Sequence, residues 1–90
     1  MLVAVICTDK PGAIETRKSN RDAHLAYIKD TGVVAQAGPF LNADGMMCGS
    51  LLVLYVDDMA AAQAWADSDP YAKAGLFSDV RIEQWNRVVG

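Results

Sequence analysis

Short runs of apolar, mostly branched side chains recur along the chain and predict strands. Residues 2–7 are apolar throughout and end at the loop signal Thr8–Gly12, and residues 50–56 form a second unbroken run. Residues 33–41 and 80–88 are weaker strand candidates, the latter because it alternates at its start. We therefore predict four strands, of which the first and third are apolar on both faces.

Two segments between these strands have the pattern and the end signals of helices. Residues 13–31 contain no Pro or Gly and are followed by Gly32, so we predict a helix there, most securely from Asn20 onward. A second helix begins after a cap at Asp57 or Asp58. Its apolar face is predicted to comprise Met59, Ala62 and Ala66, with Trp65 off the centre of that face.

The first helix places several polar side chains beside its apolar stripe. At about 100° per residue, Leu25 and Ile28 lie about 60° apart and define the stripe. His24 falls about 40° beyond Ile28, and Arg17 lies within about 20° of His24 two turns earlier. If the helix extends that far, Arg17, Arg21 and His24 line one margin of it.

The dipeptide Asp69-Pro70 marks a corner after the second helix. Asp is a favoured N-cap residue and Pro at the first helical position loses no needed hydrogen bond, so a short helical segment begins here and closes near Gly75. Capping alone can explain Asp69. The alternative is that the same carboxylate also faces His24, the only histidine in the chain.

Three features refine the strands. Gly38-Pro39 favours a bulge or an edge position, because proline cannot donate to a sheet ladder. Residues 42–45 have the composition of a hairpin turn. The alternation of the last strand slips at Gln84-Trp85, which predicts a bulge there, or a Trp85 that turns outward against a partner.

The predicted order is strand, helix, strand, strand, helix, strand. This is the order of a ferredoxin-like α+β domain, here a single domain over residues 1–90 with a four-stranded antiparallel sheet covered by helices on one face. Two helices leave the other face of the sheet open, although its central strands are apolar on both sides. We therefore predict a homodimer in which the two sheets pack face to face.

Composition and charge narrow the range of partners. The net charge of −3 and the pI of about 4.8 give no electrostatic reason to expect binding to nucleic acid or to an anionic membrane. Cys7 and Cys48 lie far apart with no metal-ligand spacing, so we expect two free thiols and no metal site. No signal peptide or bilayer-spanning run is evident, and we expect a cytoplasmic protein.

Several of these residues can support chemistry, and each also has a structural explanation. His24 can exchange a proton near neutral pH, or it can be a partly buried polar residue at a helix edge. Arg17 can bind a carboxylate or phenolate, or it can be a solvated surface cation. Ser50 can hydrogen-bond a ligand or His24, and Tyr71 can donate a proton or simply pack onto the core.

These residues also occur within a set of short motifs spread over nearly the whole chain. Their order and spacing resemble the YciI-like family, also called the YCII-related domain, which has the dimeric ferredoxin-like α+β barrel fold. The motifs are Thr8-Asp9-Lys10, Arg17, Arg21-Asp22-Ala23-His24-Leu25, Ala37-Gly38-Pro39, Gly49-Ser50, Ala61-Ala62-Gln63-Ala64-Trp65, Asp69-Pro70-Tyr71 and Ala74-Gly75.

The resemblance implies a kind of chemistry. The family is similar to muconolactone isomerase, and some members are implicated in removing chloride from chlorinated hydroxyquinol-type aromatics. The resemblance implies that His24 and Asp69 form an acid/base pair in a cleft beside the sheet. We expect Arg17, Ser50, Tyr71, Gly38 and Pro39 to contribute to substrate binding.

Two functions remain open at this point. The first is a small enzyme, an isomerase, lyase or dehydrochlorinase, that uses the His24-Asp69 pair on a cyclic unsaturated or phenolic molecule and needs no cofactor. The alternative is a non-catalytic dimeric module that binds a small molecule or a protein. A monooxygenase of the same general fold is a weaker third option, since nothing in the sequence indicates oxygen chemistry.

Overall fold

The computed structural model describes residues 1–90 and has the predicted order of elements, including the short helix predicted at the Asp69-Pro70 corner. The α+β, ferredoxin-like fold is therefore confirmed. The elements are β1 Leu2–Asp9, α1 Ile14–Thr31, β2 Val34–Leu41, β3 Met47–Tyr55, α2 Met59–Ser68, α3 Pro70–Lys73 and β4 Phe77–Trp85.

The four strands form one antiparallel sheet in the order β2-β3-β1-β4. The two continuously apolar strands, β1 and β3, are the central ones, and their register runs from Leu2 opposite Tyr55 to Thr8 opposite Gly49. This position follows from their composition, because a central strand has neighbours on both sides and gains most from apolar side chains on both faces. The two less regular strands occupy the edges.

The core lies between the sheet and the helices. Val3 and Val5 of β1 and Leu52 and Leu54 of β3 point into it and are at most 1% exposed. Helix α2 contributes Ala62, Trp65 and Ala66 to the same cluster, whereas Met59 is 37% exposed. The predicted face of α2 is thus rotated toward Trp65.

Hydrogen bonds explain why Trp65 is in the core. Its indole Nε1–H donates to Thr31 Oγ1 at 2.9 Å, and its carbonyl oxygen accepts from the Tyr27 hydroxyl at 2.8 Å. A buried indole needs such a partner for its N–H. Helix α1 is therefore tied to α2 at its C-terminal end, where Gly32 ends the helix in the left-handed conformation.

The apolar stripe predicted for α1 is only partly correct. Ile28 packs against the core, but Leu25 is 43% exposed. The buried residues of α1 are instead Arg17 and His24. Burial of polar side chains requires hydrogen-bond partners, and both residues find carboxylates, as described below. These partners outweigh the preference of Leu25 for the interior.

The predictions for the edge strands have mixed outcomes. Gly38-Pro39 lies on β2, which is an edge strand as predicted, and Asp58 caps α2 by accepting from Ala61 N–H at 2.7 Å. The predicted bulge at Gln84-Trp85 is wrong, because β4 pairs with β1 in unbroken register there. Strand β4 also begins and ends three residues earlier than predicted, at Phe77 and Trp85. The observed bulges lie elsewhere, in β1 near Thr8/Asp9 and in β2 near Val34/Gln36 and Phe40/Leu41.

The face of the sheet opposite the helices is open. Residue pairs Ala4–Val53 and Ile6–Leu51 form its apolar centre, and Tyr55 and Trp85 are 68% and 41% exposed.

None of the helices combines the length and the apolarity needed to cross a bilayer.

Candidate active site

His24 and Asp69 form a buried pair. His24 Nδ1 lies 2.7 Å from Asp69 Oδ1, and the two side chains are 8% and 2% exposed. A carboxylate oxygen can only accept hydrogen bonds, so the short distance assigns a proton to Nδ1, and in the neutral form of the ring Nε2 is the basic nitrogen. Helix α1 and the corner before α3 thus bring together two residues that are 45 positions apart in the sequence.

Asp69 serves this pair and the helix cap at once. Its Oδ1 also accepts from the backbone N–H of Tyr71 at 3.0 Å, as expected of the N-cap of α3. The two explanations that the sequence left open for Asp69 are therefore both correct. Because the carboxylate is held by the backbone, it presents a fixed acceptor to the imidazole.

Tyr71 packs directly on the imidazole. The two rings are stacked, with centroids 3.9 Å apart and planes 12° apart. Phe77 contacts the Tyr71 ring edge-on, with centroids 6.2 Å apart. Burial raises the pKa of the Tyr71 phenol, and the nearby positive charges of Arg17 and Arg21 oppose this shift only in part. The hydroxyl therefore keeps its proton at neutral pH and can donate a hydrogen bond.

Arg17 is held by Asp9 in a bidentate ion pair. Nε donates to Asp9 Oδ2 and Nη2 donates to Asp9 Oδ1, both at 2.8 Å, and the two side chains are 3% and 6% exposed. Nη2 also donates to Ser50 Oγ at 2.8 Å. Burial alone would lower the pKa of Arg17, but the hydrogen bond and charge of Asp9 outweigh it and raise this pKa.

This arrangement corrects the expectation for Arg17. The residue is not a solvated surface cation, and its bidentate edge is already occupied by a carboxylate of the protein itself. Its guanidinium carbon lies 4.8 Å from the centroid of the Tyr71 ring. Arg17 can therefore offer a ligand only its remaining amino group, Nη1.

The polar cluster borders a cleft of about 240 Å³ between α1 and the edge of the sheet. Every predicted site residue except Asp69, which lies behind His24, lines this cleft. No buried polar side-chain atom lacks a hydrogen-bond partner, so His24 Nε2, which has none, reaches the open space. The lining residues are Arg17, Arg21, His24, Leu25, Ile28, Ala37, Gly38, Pro39, Met47, Ser50, Leu52 and Tyr71.

Asp9 is the site residue that sequence reasoning missed. It occurs at the end of β1, where the apolar run gives way to loop residues, and the loop signal and the motif Thr8-Asp9-Lys10 that contain it predict no role for its side chain. Its pairing with Arg17 connects a strand to a helix, and no periodic pattern reports such a contact. The available signal was its position, since polar side chains at strand ends often project into clefts.

Cys7 is not placed for nucleophilic chemistry. Cys7 and Cys48 are free thiols, as expected. Cys7 lies opposite Ser50 in the sheet and is 2% exposed. Burial, with a contribution from Asp69, raises the pKa of its thiol to about 12, so it remains protonated at neutral pH. The site contains no group of three His, Cys, Asp or Glu side chains suited to hold a metal ion.

Comparisons with known proteins agree with this fold. The model of the YCII-related domain family matches residues 1–86. Protein YciI from Escherichia coli O6:H1 is 35% identical, with 98% of this chain and 99% of that protein covered. An uncharacterized protein from Haemophilus influenzae is 29% identical over the same shares of the two chains.

Solved structures also show similarity to this fold. The 5-chloro-2-hydroxyhydroquinone dehydrochlorinase from Burkholderia phenoliruptrix AC1100, in complex with 2,5-dihydroxybenzoquinone, is 33% identical and superposes with a TM-score of 0.88, covering 96% of this chain and 94% of that one. An antibiotic biosynthesis monooxygenase has a TM-score of 0.60 at 14% identity, covering 99% of this chain and 100% of that one. The latter similarity concerns the fold alone.

Proposed function

The chain belongs to the YCII-related domain family, and from this premise we propose that it is an enzyme that processes a small cyclic unsaturated or phenolic molecule by acid–base chemistry. The similarity to a dehydrochlorinase at 33% identity supports a small-molecule-processing enzyme of the lyase or isomerase type. The proposed chemistry consists of proton transfers and needs no cofactor.

The observation that supports this proposal most strongly is the free nitrogen of His24. Nδ1 is bound to the buried Asp69 carboxylate, while Nε2 has no partner and opens onto the cleft. The carboxylate fixes the tautomer of the ring and stabilises the imidazolium that forms when Nε2 accepts a proton. General acid–base assistance of this kind accelerates a reaction by roughly 10²–10⁴-fold.

A dehydrochlorination illustrates the balance of protons. His24 Nε2 would take one hydroxyl proton of a chlorinated hydroxyhydroquinone and return it to the ring carbon that carries chlorine. It would then accept a second hydroxyl proton as the carbon–chlorine bond breaks and the electron pair leaves with chloride. The net change is loss of HCl with formation of a hydroxyquinone, so no external oxidant is required. An isomerase would use only the first two transfers, in which Nε2 takes a proton from one atom of the substrate and returns it to another.

Tyr71 and Arg17 have supporting roles in this scheme. The Tyr71 hydroxyl can donate a hydrogen bond to a substrate oxygen as negative charge develops on it. The Arg17 guanidinium, held in place by Asp9 and Ser50, can offer its remaining amino group Nη1 to that oxygen as a second hydrogen-bond donor. Ser50 acts through Arg17, because its Oγ accepts a hydrogen bond from Nη2.

The alternative is a non-catalytic binding module. The sharing of Asp69 Oδ1 between the imidazole and the Tyr71 backbone favours it, since this arrangement also stabilises the start of α3. In such a module His24 would orient a bound ligand without exchanging protons. The same cleft would then bind a small molecule and release it unchanged.

Turnover of a chlorinated hydroxyhydroquinone tests the proposal. We expect the wild type to release chloride and His24→Ala to be slower by about 10²–10⁴-fold. Asp69→Asn retains an oxygen that can cap α3 but lacks the charge, and we expect it to be impaired as well. Lys18→Gln, on the exposed side of α1, serves as the control. A folded His24→Ala protein with wild-type turnover would contradict the enzyme proposal, and a wild type that binds but never converts such molecules would favour the module.

We further propose that a second copy of the chain covers the open face of the sheet. Ile6 and Leu51 form an apolar strip along its centre, bordered on β4 by the exposed pair Arg81 and Glu83. A twofold arrangement would let the strips pack together while Arg81 of each copy faces Glu83 of the other. This charge pattern is self-complementary, which favours a copy of the chain over an unrelated partner.

A further inference from the structure

Arg21 differs from the other charged groups of the cleft because no protein carboxylate neutralises it. Arg17 is paired with Asp9 and His24 with Asp69, whereas Arg21 lines the same cleft and takes part in no salt bridge. Its side chain is exposed rather than buried. The cleft thus has one positive charge that is free to meet a ligand.

The sequence around Arg21 leaves this charge without a partner on its own helix. Positions three and four residues away on α1 hold Arg17, Lys18, His24 and Leu25, and none of these is acidic. Like charges at this spacing destabilise a helix. In a chain with a net charge of −3, this local excess of positive charge is unexpected unless it serves a ligand.

We propose that Arg21 selects for an anionic oxygen on the substrate, either a carboxylate or an ionised ring hydroxyl, at the mouth of the cleft. This inference rests on the proposed function, because it specifies the substrate class of the same site. An arginine suits the role, since its planar fork can donate two hydrogen bonds to a pair of oxygens. The fork of Arg17 cannot do this while it is bound to Asp9.

The dimensions of the cleft limit the rest of the substrate. At about 240 Å³ it is smaller than the roughly 300–1,000 Å³ of typical ligand pockets, which restricts it to a molecule of about one ring. Leu25 and Ile28 provide apolar contacts on the α1 side. Arg21 and Tyr71 both line this cleft, so the two side chains face a common space. A ring seated against His24 and Tyr71 would therefore direct a substituent toward Arg21.

Two matched ligand pairs test this inference by calorimetry on the full chain. The first pair is 2,5-dihydroxybenzoate and its neutral amide, and the second is 2,5-dihydroxybenzoquinone, which ionises readily, and its neutral dimethyl ether. We expect the wild type to bind the anionic member of at least one pair about 10- to 100-fold more tightly, as charge-assisted hydrogen bonds predict. Preference in the first pair alone identifies a carboxylate, and in the second alone a ring oxygen.

Variants of α1 separate Arg21 from general electrostatics. Arg21→Gln should lose the preference for the anionic ligand, Arg21→Lys should keep part of it, and Lys18→Gln, which removes the same charge outside the cleft, should keep all of it. Because Arg21 is exposed and lies next to like charges, Arg21→Gln should melt at or slightly above the wild-type temperature.

Two results would overturn the inference. The first is a wild-type protein that binds the neutral and the anionic member of each pair equally. The second is an Arg21→Gln protein that keeps the full wild-type preference for the anionic ligand. Neither result affects the proposed function, which depends on the loss of turnover in His24→Ala. If the wild type binds neither member of either pair, the inference about Arg21 is wrong, whereas the proposed function is still decided by turnover in the wild type and in His24→Ala.

Discussion

Removal of Asp9 tests whether the Arg17 ion pair is as important to the fold as its burial indicates. The two side chains are 3% and 6% exposed and share two hydrogen bonds of 2.8 Å. If one partner is removed, the other remains as an uncompensated buried charge, which typically costs about 3–5 kcal/mol. A domain of this size has a total stability of roughly 5–13 kcal/mol, so Asp9→Leu should lose a large part of it.

A double-mutant cycle separates two quantities: the destabilisation caused by one buried charge without its partner, and the net contribution of the ion pair to the free energy of unfolding. Arg17→Met should also cost about 3–5 kcal/mol, because it leaves Asp9 buried and unpaired. The double variant removes both charges and leaves only Ser50 Oγ without its donor, a loss of about 1–3 kcal/mol. We therefore expect the double variant to be more stable than either single variant.

Urea unfolding at a fixed protein concentration measures these changes, with the fluorescence of the buried Trp65 as the signal. The coupling between the two substitutions should amount to at least about 2 kcal/mol. Single variants that each cost less than about 1 kcal/mol, and that add in the double variant, would refute the description of this pair as buried and mutually dependent.

Two further predictions concern alkaline stability and assembly. Because burial raises the pKa of the Cys7 thiol from 9.0 to about 12, the unfolded chain loses this proton first, and the free energy of unfolding should fall as the pH rises above 9. The raised pKa of Tyr71 acts in the same direction above pH 10. Cys7→Ala should flatten this pH dependence, measured as the urea midpoint between pH 8 and 11; an unchanged slope would exclude Cys7 as its source. Wild-type protein should sediment at twice its 9.7 kDa mass, and Leu51→Asp should sediment as a monomer, whereas a monomeric wild type would contradict the proposed dimer.

The strands and their order could be predicted because the apolar runs are long and pure. Residues 2–7 and 50–56 became the two central strands, where a continuous run of apolar side chains is stabilised on both faces. The last strand was harder to predict. Arg81, Glu83 and Trp85 of β4 all lie on the open face of the sheet. Because Trp85 is apolar and the other two are charged, the alternation of the sequence breaks at Trp85 although the pairing with β1 is regular.

The candidate site could be predicted only in part, because its contacts are tertiary. The periodicity of α1 identified Arg17 and His24 as neighbours, and the family resemblance implied the pairing with Asp69. No local pattern indicated that Asp9 would neutralise Arg17 and so leave Arg21 as the available cation. Similarly, the burial of His24 in place of Leu25 depends on a carboxylate 45 residues away.

The central claim is that Asp69 holds His24 with a protonated Nδ1 and a basic Nε2 that faces the cleft. Long-range ¹H–¹⁵N NMR of the single histidine measures this directly, recorded on the alkaline side of its titration, where the ring is neutral. We expect the Nδ1–H tautomer in the wild type and a shift toward Nε2–H in Asp69→Asn. A wild-type ring that carries its proton on Nε2 would contradict the account, since no base would then face the substrate.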